Sequence, residues 1–387
     1  MDNNSPVYRP YGSLGIIALE SARELGKKVD KQIIKRRELK KQFNSDYPIP
    51  DTYIMPVKDQ RFSNGEGKVK LADSVRGRDI FILCDIGNYS CTYQMYGKTN
   101  YKGPDEHFQD IKRTISAIGG KSRRISVIMP LLYASRQHKK KGRESLDCSL
   151  ALQELERMGV KDILTFDVHD PNIQNAIPLA SFDNIYPTYD IVKSILESEN
   201  DLEFDRSKML VVSPDTGAMD RAIYYASVLK LDTGLFYKRR DHTRLIRGKN
   251  PIITHEYIGS SVEGMDILIV DDMIASGESV LDIAYELKAR KANRIYIAST
   301  FGLFTEGIDK FVKAYQENLI ARVYSTNLTY IPTELKNQPW YVEVDMSEYM
   351  AKVIDYLNSD FSISTLLDAT YGIKKLLDKK IITKNKV

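Results

Sequence analysis

The sequence has only three cysteines in 387 residues. Cys84, Cys91 and Cys148 show no CxxC spacing, which leaves neither a disulfide framework nor a zinc motif, and they read as buried or incidental thiols. Long apolar runs are missing too. A membrane-spanning helix takes roughly 18 apolar residues, and the nearest candidate, Ile125 to Ala134, is interrupted by Pro130 and reads as a strand. The opening MDNNSPVYRPYG lacks a basic segment ahead of an apolar core, and the acidic residues that follow argue against a transit peptide. A cytoplasmic protein with no membrane partner is expected. No short-period repeat or low-complexity tract occurs. Charge of one sign is scarce as well: 56 basic groups stand against 52 acidic ones, and the net +4 gives no reason to expect a nucleic-acid partner.

What is present is a globular composition, 42% hydrophobic and 28% charged, in a chain long enough for two or three domains. Strand-like runs at 79–84, 125–129, 162–166, 209–212, 267–270, 294–299 and 321–325 alternate with helix-like stretches at 105–118, 145–158, 188–197, 220–228 and 280–290. That alternation predicts an α/β protein with mainly parallel sheets flanked by helices, with strands enough for two. A boundary is expected near Tyr186 to Asp190. The charged stretch from Ala18 to Phe43 carries Leu25, Val29 and Ile33 on one helical face, which predicts an amphipathic helix docked on something larger. Its KRRELKK segment reads as a solvated face. The span from Tyr89 to Gly103, rich in Tyr, Gly, Asn and Lys, reads as a surface insertion.

The most informative stretch is ILIVDDMIASGESV, Ile267 to Val280. An apolar run of buried-strand type stops at Asp271 and Asp272, and a turn of small residues then opens a helix. Ser276, Gly277 and Ser279 are placed at the helix N-terminus, where backbone N–H groups and the helix dipole favour a phosphate. Two carboxylates beside such a cradle suit the vicinal diol of a phosphorylated sugar. An ordinary strand-turn-helix corner would look the same, and this segment alone leaves both readings open.

Five further segments are Arg61-Phe62-Ser63-Asn64-Gly65-Glu66, Tyr133-Ala134-Ser135-Arg136-Gln137, Asp167-Val168-His169 with Asn172-Ile173-Gln174, Ser213-Pro214-Asp215, and Lys238-Arg239-Arg240. In this order, with the DDMIASGES loop after them, they closely resemble ribose-phosphate diphosphokinase, the phosphoribosyl pyrophosphate synthetase family, from about Asp51 to about Leu367. The resemblance implies two phosphoribosyltransferase type I-like domains at 46–187 (the ATP side) and 188–350 (the ribose 5-phosphate side). A charged helical extension at 1–45 and a C-terminal helical segment at 351–387 would flank them. It implies transfer of the diphosphoryl group of magnesium-ATP to the C1 hydroxyl of ribose 5-phosphate, giving 5-phosphoribosyl 1-diphosphate and AMP. A non-catalytic regulatory subunit and a type I phosphoribosyltransferase are the alternatives.

By the same resemblance Phe62, Asn64 and Glu66 would reach across a homo-oligomer interface to ATP, with Arg136 and Gln137 on the nucleotide. His169 and Asp215 match magnesium-associated positions. Magnesium prefers oxygen, so a direct imidazole ligand would be unusual. Lys238 and Arg240 match a mobile catalytic loop, and cationic groups there suit the negative charge that diphosphoryl transfer develops. The ribose 5-phosphate site would comprise Asp271, Asp272, Ala275, Ser276, Gly277, Glu278 and Ser279. Ala275 stands where many members have a third Asp. Glu278 replaces a small residue and is expected to face solvent, because a carboxylate turned inward would repel the phosphate. His138 and Asp220 also depart from the family pattern.

Overall fold

Short apolar runs supply the strands, and their burial on both faces makes the sheets parallel and central. The computed structural model describes residues 10–41, 49–140, 142–240 and 252–384, with backbone alone at 40–41, 238–240, 252–255 and 381–384. The chain divides into two compact units. The first takes the chain up to Tyr186 together with Leu328–Tyr330 and Asp345–Leu367; the second takes Pro187–Asn327, Ile331–Val344 and the remainder from Asp368.

In the first unit the elements run β1 (Ser13–Ala18), α1 (Arg23–Lys41), β2 (Val57–Arg61), β3 (Gly67–Leu71), β4 (Arg78–Leu83), β5 (Thr92–Met95), β6 (Lys98–Tyr101), α2 (Pro104–Ile118), β7 (Arg124–Ile128), α3 (Asp147–Arg157), β8 (Asp162–Phe166) and β9 (Ser181–Ile185). Strands β1, β4, β7, β8 and β9 form one five-stranded parallel sheet in the order β1-β4-β7-β8-β9. Helix α2 shows why the local sequence folds as it does. Pro104 opens it, the Glu106 carboxylate accepts the Gly103 N–H at 2.9 Å, and Gly119 ends it at φ 60°. Its buried stripe of Phe108, Ile111, Ile115 and Ile118 joins the core around β4 and β7.

Of the segment expected as a separate extension at 1–45, the described residues 10–41 cluster with this unit. Residues 13–18 form the edge strand β1, paired in parallel with β4 from Ser13↔Arg78 to Ala18↔Leu83, and the helix starts only at Arg23. A Cβ on Gly26 would lie 2.4 Å from the Ala18 Cβ, so glycine permits α1 to approach β1 closely. Leu25, Val29 and Ile33 are buried, as the helical spacing predicts.

KRRELKK is not wholly a solvated face: Arg37 is 4% exposed. Helix α9 (Ser347–Asn358) explains the difference. Arg36 and Arg37 each donate to the fully buried Asp355 at 3.0 Å, and Arg37 also donates to the Asn358 amide oxygen at 2.8 Å. Asn358 in turn donates to Asp79, whose carboxylate is held by Arg124 at 2.7 and 2.8 Å. The network joins α1, α9, β4 and β7.

The span 89–103 folds as the antiparallel hairpin β5/β6, turned by Tyr96 and Gly97, both at positive φ. It ends in Lys102, 4% exposed, whose ammonium donates to Glu20 and Asp59 at 2.7 Å each and to Asp110 at 3.3 Å. Burial alone would lower this amine's pKa; the hydrogen bonds to Asp59 and Glu20 outweigh it and raise the pKa above the usual lysine value.

The second unit contains α4 (Thr188–Ser198), β10 (Met209–Ser213), α5 (Met219–Leu229), β11 (Asp232–Arg240), β12 (Ile252–Ile258), β13 (Asp266–Ile274), α6 (Glu278–Ala289), β14 (Ile295–Gly302), α7 (Asp309–Gln316), β15 (Arg322–Thr326), α8 (Thr333–Lys336) and β16 (Tyr341–Val344). Its seven-stranded sheet has the order β12-β11-β10-β13-β14-β15-β16, antiparallel only between β11 and β12. The chain then supplies α9 (Ser347–Asn358) and α10 (Ser364–Leu367) to the first unit and α11 (Thr370–Lys384) to the second. The stretch 351–387 is thus split between the two units. Among the described residues no helix is long and apolar enough to cross a membrane.

Candidate active site

In the second unit, β10 and β13 are parallel neighbours, so the loops that follow them leave the same edge of the sheet. This carboxyl edge is where open α/β sheets place their ligands. Strand β13 does not stop at the carboxylates. It runs on to Ile274, held by β14 through Met273↔Phe301 and Ile274↔Gly302, with Asp272 buried and Asp271 partly exposed. Desolvation and the adjacent Asp272 raise the Asp271 pKa well above the carboxylate range, and Asp215 adds to the repulsion. Arg221, on α5, opposes this with its guanidinium 4.0 Å from the Asp271 carboxylate. Sequence reading missed Arg221, whose only signal is its place one turn into the helix after Ser213-Pro214-Asp215.

The cradle itself is Ala275 to Ser279. Gly277 stands at φ 81° as the N-cap of α6, and a Cβ there would lie 2.3 Å from the Phe311 ring. Both facts call for glycine. The loop after β14 braces the turn: Leu303 and Phe304 donate to the Ile274 carbonyl and Thr305 to that of Ala275, at 2.9, 3.2 and 3.0 Å. Helix α6 then opens its first turn beside Ser276, whose hydroxyl accepts the Glu278 N–H at 3.5 Å. Glu278 is exposed, as its chemistry requires, with 65% of its side chain accessible. It pairs with Lys310 at 2.9 Å.

Asp215 follows β10 and accepts from the Gly217 and Ala218 N–H groups at 2.9 and 3.2 Å, which fixes its turn. Asp215, Asp271 and Asp272 carry oxygen donors, the type a hard cation takes, and Asp272 and Asp215 both push the Asp271 pKa up. Among the described residues no group of three or more His, Cys, Asp or Glu forms a ready ligand set. Magnesium commonly uses one or two carboxylates and takes its other ligands from substrate phosphates and water.

Six other candidate residues, Phe62, Asn64, Glu66, Arg136, Gln137 and His169, lie in the first unit. Phe62, Asn64 and Glu66 occupy the turn of the β2/β3 hairpin. Phe62 exchanges backbone hydrogen bonds with Glu66 and Gly65, while the Asn64 side chain accepts the Glu66 N–H at 3.1 Å and so shapes the turn. Phe62 is 52% exposed, a large apolar surface at a hairpin tip.

Arg136 and Gln137 are exposed on the loop after β7, and His169 follows β8, the parallel neighbour of β7. The structure brings these two loops together. The His138 and His169 rings lie 5.3 Å apart, and His138 and Lys139 both reach Asp170, at 3.3 and 2.7 Å. The Lys139 hydrogen bond holds the Asp170 carboxyl down at about 2. His138, the departure after Arg-Gln, therefore serves as a strut between the loops.

His169 and Asp215 fall in different units. Lys238 and Arg240 have backbone in β11, but their side chains lie outside the described residues, as does the backbone of 241–251.

Two family models match the chain in tandem. Residues 14–159 match the N-terminal domain of ribose phosphate pyrophosphokinase, and residues 180–327 match the phosphoribosyl transferase domain. The ribose-phosphate pyrophosphokinase of Mycoplasma genitalium is 26% identical over 314 residues, 80% of this chain and 86% of that protein. That of Chromobacterium violaceum is 27% identical over 312 residues, again 80% and 86%. Among solved structures, the phosphoribosylpyrophosphate synthetase from Mycobacterium smegmatis superposes with a TM-score of 0.72 at 23% identity, covering 90% of this chain and 99% of that one, and so shares its fold. With both models in register over the two units and their sheets, the chain belongs to the ribose-phosphate pyrophosphokinase family.

Proposed function

We propose that this chain transfers the diphosphoryl group of ATP to the C1 hydroxyl of ribose 5-phosphate. The observation that carries the reading is the match of residues 14–159 to the pyrophosphokinase N-terminal domain, since the DD-turn-helix of the second unit is shared with transferases that consume the activated sugar. Phe62, Asn64, Glu66, Arg136 and Gln137 bind ATP. The turn from Ala275 to Ser279 binds the 5-phosphate on the first amides of α6, and Asp271 and Asp272 accept hydrogen bonds from the ribose hydroxyls.

The C1 hydroxyl oxygen forms a bond to the β-phosphorus, and the bond from that phosphorus to the α–β bridging oxygen breaks. AMP departs with the bridging oxygen, and the hydroxyl proton passes to solvent. Such a reaction asks the protein mainly for alignment and for cations around the moving charge. Lys238 and Arg240 supply those cations. Magnesium, when bound with the nucleotide, neutralises phosphate charge; Asp215 offers it an oxygen, and His169 is better suited to its water shell than to the ion. As the resemblance implies, a second copy of the chain would cover the hairpin tip that carries Phe62 and share the nucleotide site.

The test is AMP formation from magnesium-ATP that depends on ribose 5-phosphate. A well-folded oligomer that binds ATP but forms no AMP would make the chain a regulatory subunit; consumption of 5-phosphoribosyl 1-diphosphate with a base would make it a transferase. The exposed position of Glu278 gives a smaller prediction. Glu278→Gly is expected to change the KM for ribose 5-phosphate by less than about twofold, because an exposed ion pair contributes little. A sharp fall in that KM would show the carboxylate obstructing the cradle.

A further inference from the structure

The hairpin β5/β6 carries none of the site motifs, yet it touches the turn that carries Phe62, Asn64 and Glu66. Five contacts make the connection. The Tyr96 N–H donates to the Ser63 carbonyl at 3.3 Å. Gly65, at φ 92°, lies so close to Met95 that a Cβ there would be 2.6 Å from the sulfur and 4.0 Å from the Tyr93 ring. The Arg61 guanidinium, which enters the turn from β2, sits 5.6 Å from the centre of the Tyr93 ring and donates to Asp110 at 2.8 Å. At the hairpin's far end, buried Lys102 binds Asp59 of β2 and Asp110 of α2, closing the circuit.

The alternation of β5 fits this arrangement. Tyr93 and Met95 are half-buried while Thr92 and Gln94 are exposed, so one face of the strand is committed to packing. The β2/β3 hairpin alternates likewise, and Val57 and Leu71 at its open end pack on the first unit's core, so its tip is the part left for β5 to hold. A two-stranded hairpin alone is marginally stable in water. Without a backing the turn would fluctuate, and a ligand would have to order it on binding.

We propose that β5/β6 is a positioning element for the nucleotide site, in which Tyr93 and Met95 hold the Phe62–Glu66 turn in its binding conformation. The assignment rests on the reading of that turn as part of the ATP site. The hairpin touches no reacting atom in this account. It sets ATP affinity by removing an ordering cost, and leaves the transfer step alone.

Met95→Ala and Tyr93→Ala, with Tyr93→Phe as the conservative control, test it. The two alanine variants are expected to raise the KM for ATP about five- to tenfold, with kcat and the KM for ribose 5-phosphate within about twofold of the parent, and Tyr93→Phe is expected to behave as the parent. Amide hydrogen exchange is expected to quicken in the peptide covering Phe62–Glu66 and to stay unchanged in β4 and β7, with the same thermal midpoint. Exchange in that turn as slow as in the parent would overturn the bracing, and this readout needs no catalysis. Faster exchange with an unaltered KM for ATP would overturn the link to the nucleotide. A parent protein that forms no AMP would refute the reaction instead; exchange, together with the binding of a non-hydrolysable ATP analogue to parent and variants, would then decide the positioning role.

Discussion

Lys238→Ala is expected to lower ribose 5-phosphate-dependent AMP formation about 10²- to 10³-fold, the usual loss when one charge-stabilising donor is removed from a transition state. As the diphosphoryl group moves, negative charge grows on the departing AMP oxygen and on the transferred oxygens. A preorganised ammonium lowers that barrier without stabilising bound ATP to the same extent. The loss should therefore fall on kcat, with both KM values changed far less. Lys238→Arg should recover part of the rate, since charge is kept while reach and geometry change. Single-turnover quench measurements separate this from slow product release. A variant that keeps more than about a tenth of the parental kcat would show that Lys238 is a surface residue on β11.

Asp355→Ala carries the largest expected effect on stability. Asp355 is fully buried and accepts from both Arg36 and Arg37, and Arg37 is itself buried. Removing the carboxylate leaves a desolvated guanidinium, a change that costs about 3–5 kcal/mol when one partner of a buried pair is deleted. The whole stability of a domain is roughly 5–15 kcal/mol, so the first unit should lose much of its margin. Denaturant unfolding of the parent and variant measures it. A companion substitution of an exposed pair, Lys27→Ala beside Glu24, should shift stability by less than about 1 kcal/mol. Equal small shifts in both variants would mean that the α1–α9 network contributes no more than surface charge.

The expected strands and helices of both units were legible because their apolar runs are buried on the sheets and their caps are local. Glu278 was legible from electrostatics alone. The continuation of β13 through Asp271 and Asp272 was not, because its pairing with β14 lies in residues distant in sequence and polar side chains hide the run. Strand β1 offers only LGIIA as a signal, and a helix-spaced set of apolar residues begins close behind it, so the expected extension at 1–45 contains a helix from Ala18 and no strand. Arg37 could not be told from its basic neighbours, since the residue that makes it buried is Asp355. The Tyr96-Gly97 turn joins strands of only four residues each, too short for the alternation of Tyr93 and Met95 to stand out.

The network from Arg37 through Asp355, Asn358 and Asp79 to Arg124 also fixes an order of events during synthesis. Its early members leave the ribosome long before α9 exists, because the strands of the second sheet are made in between. At ordinary elongation rates that interval is roughly 10 to 50 s. Through it Asp79 and Arg37 lack the carboxamide and carboxylate that later enclose them, and the nascent first unit carries an open charged seam. A chaperone that recognises the unfinished first unit, or a protease that cuts α1, would therefore act on the growing chain and lose its target once Asn358 has emerged and docked.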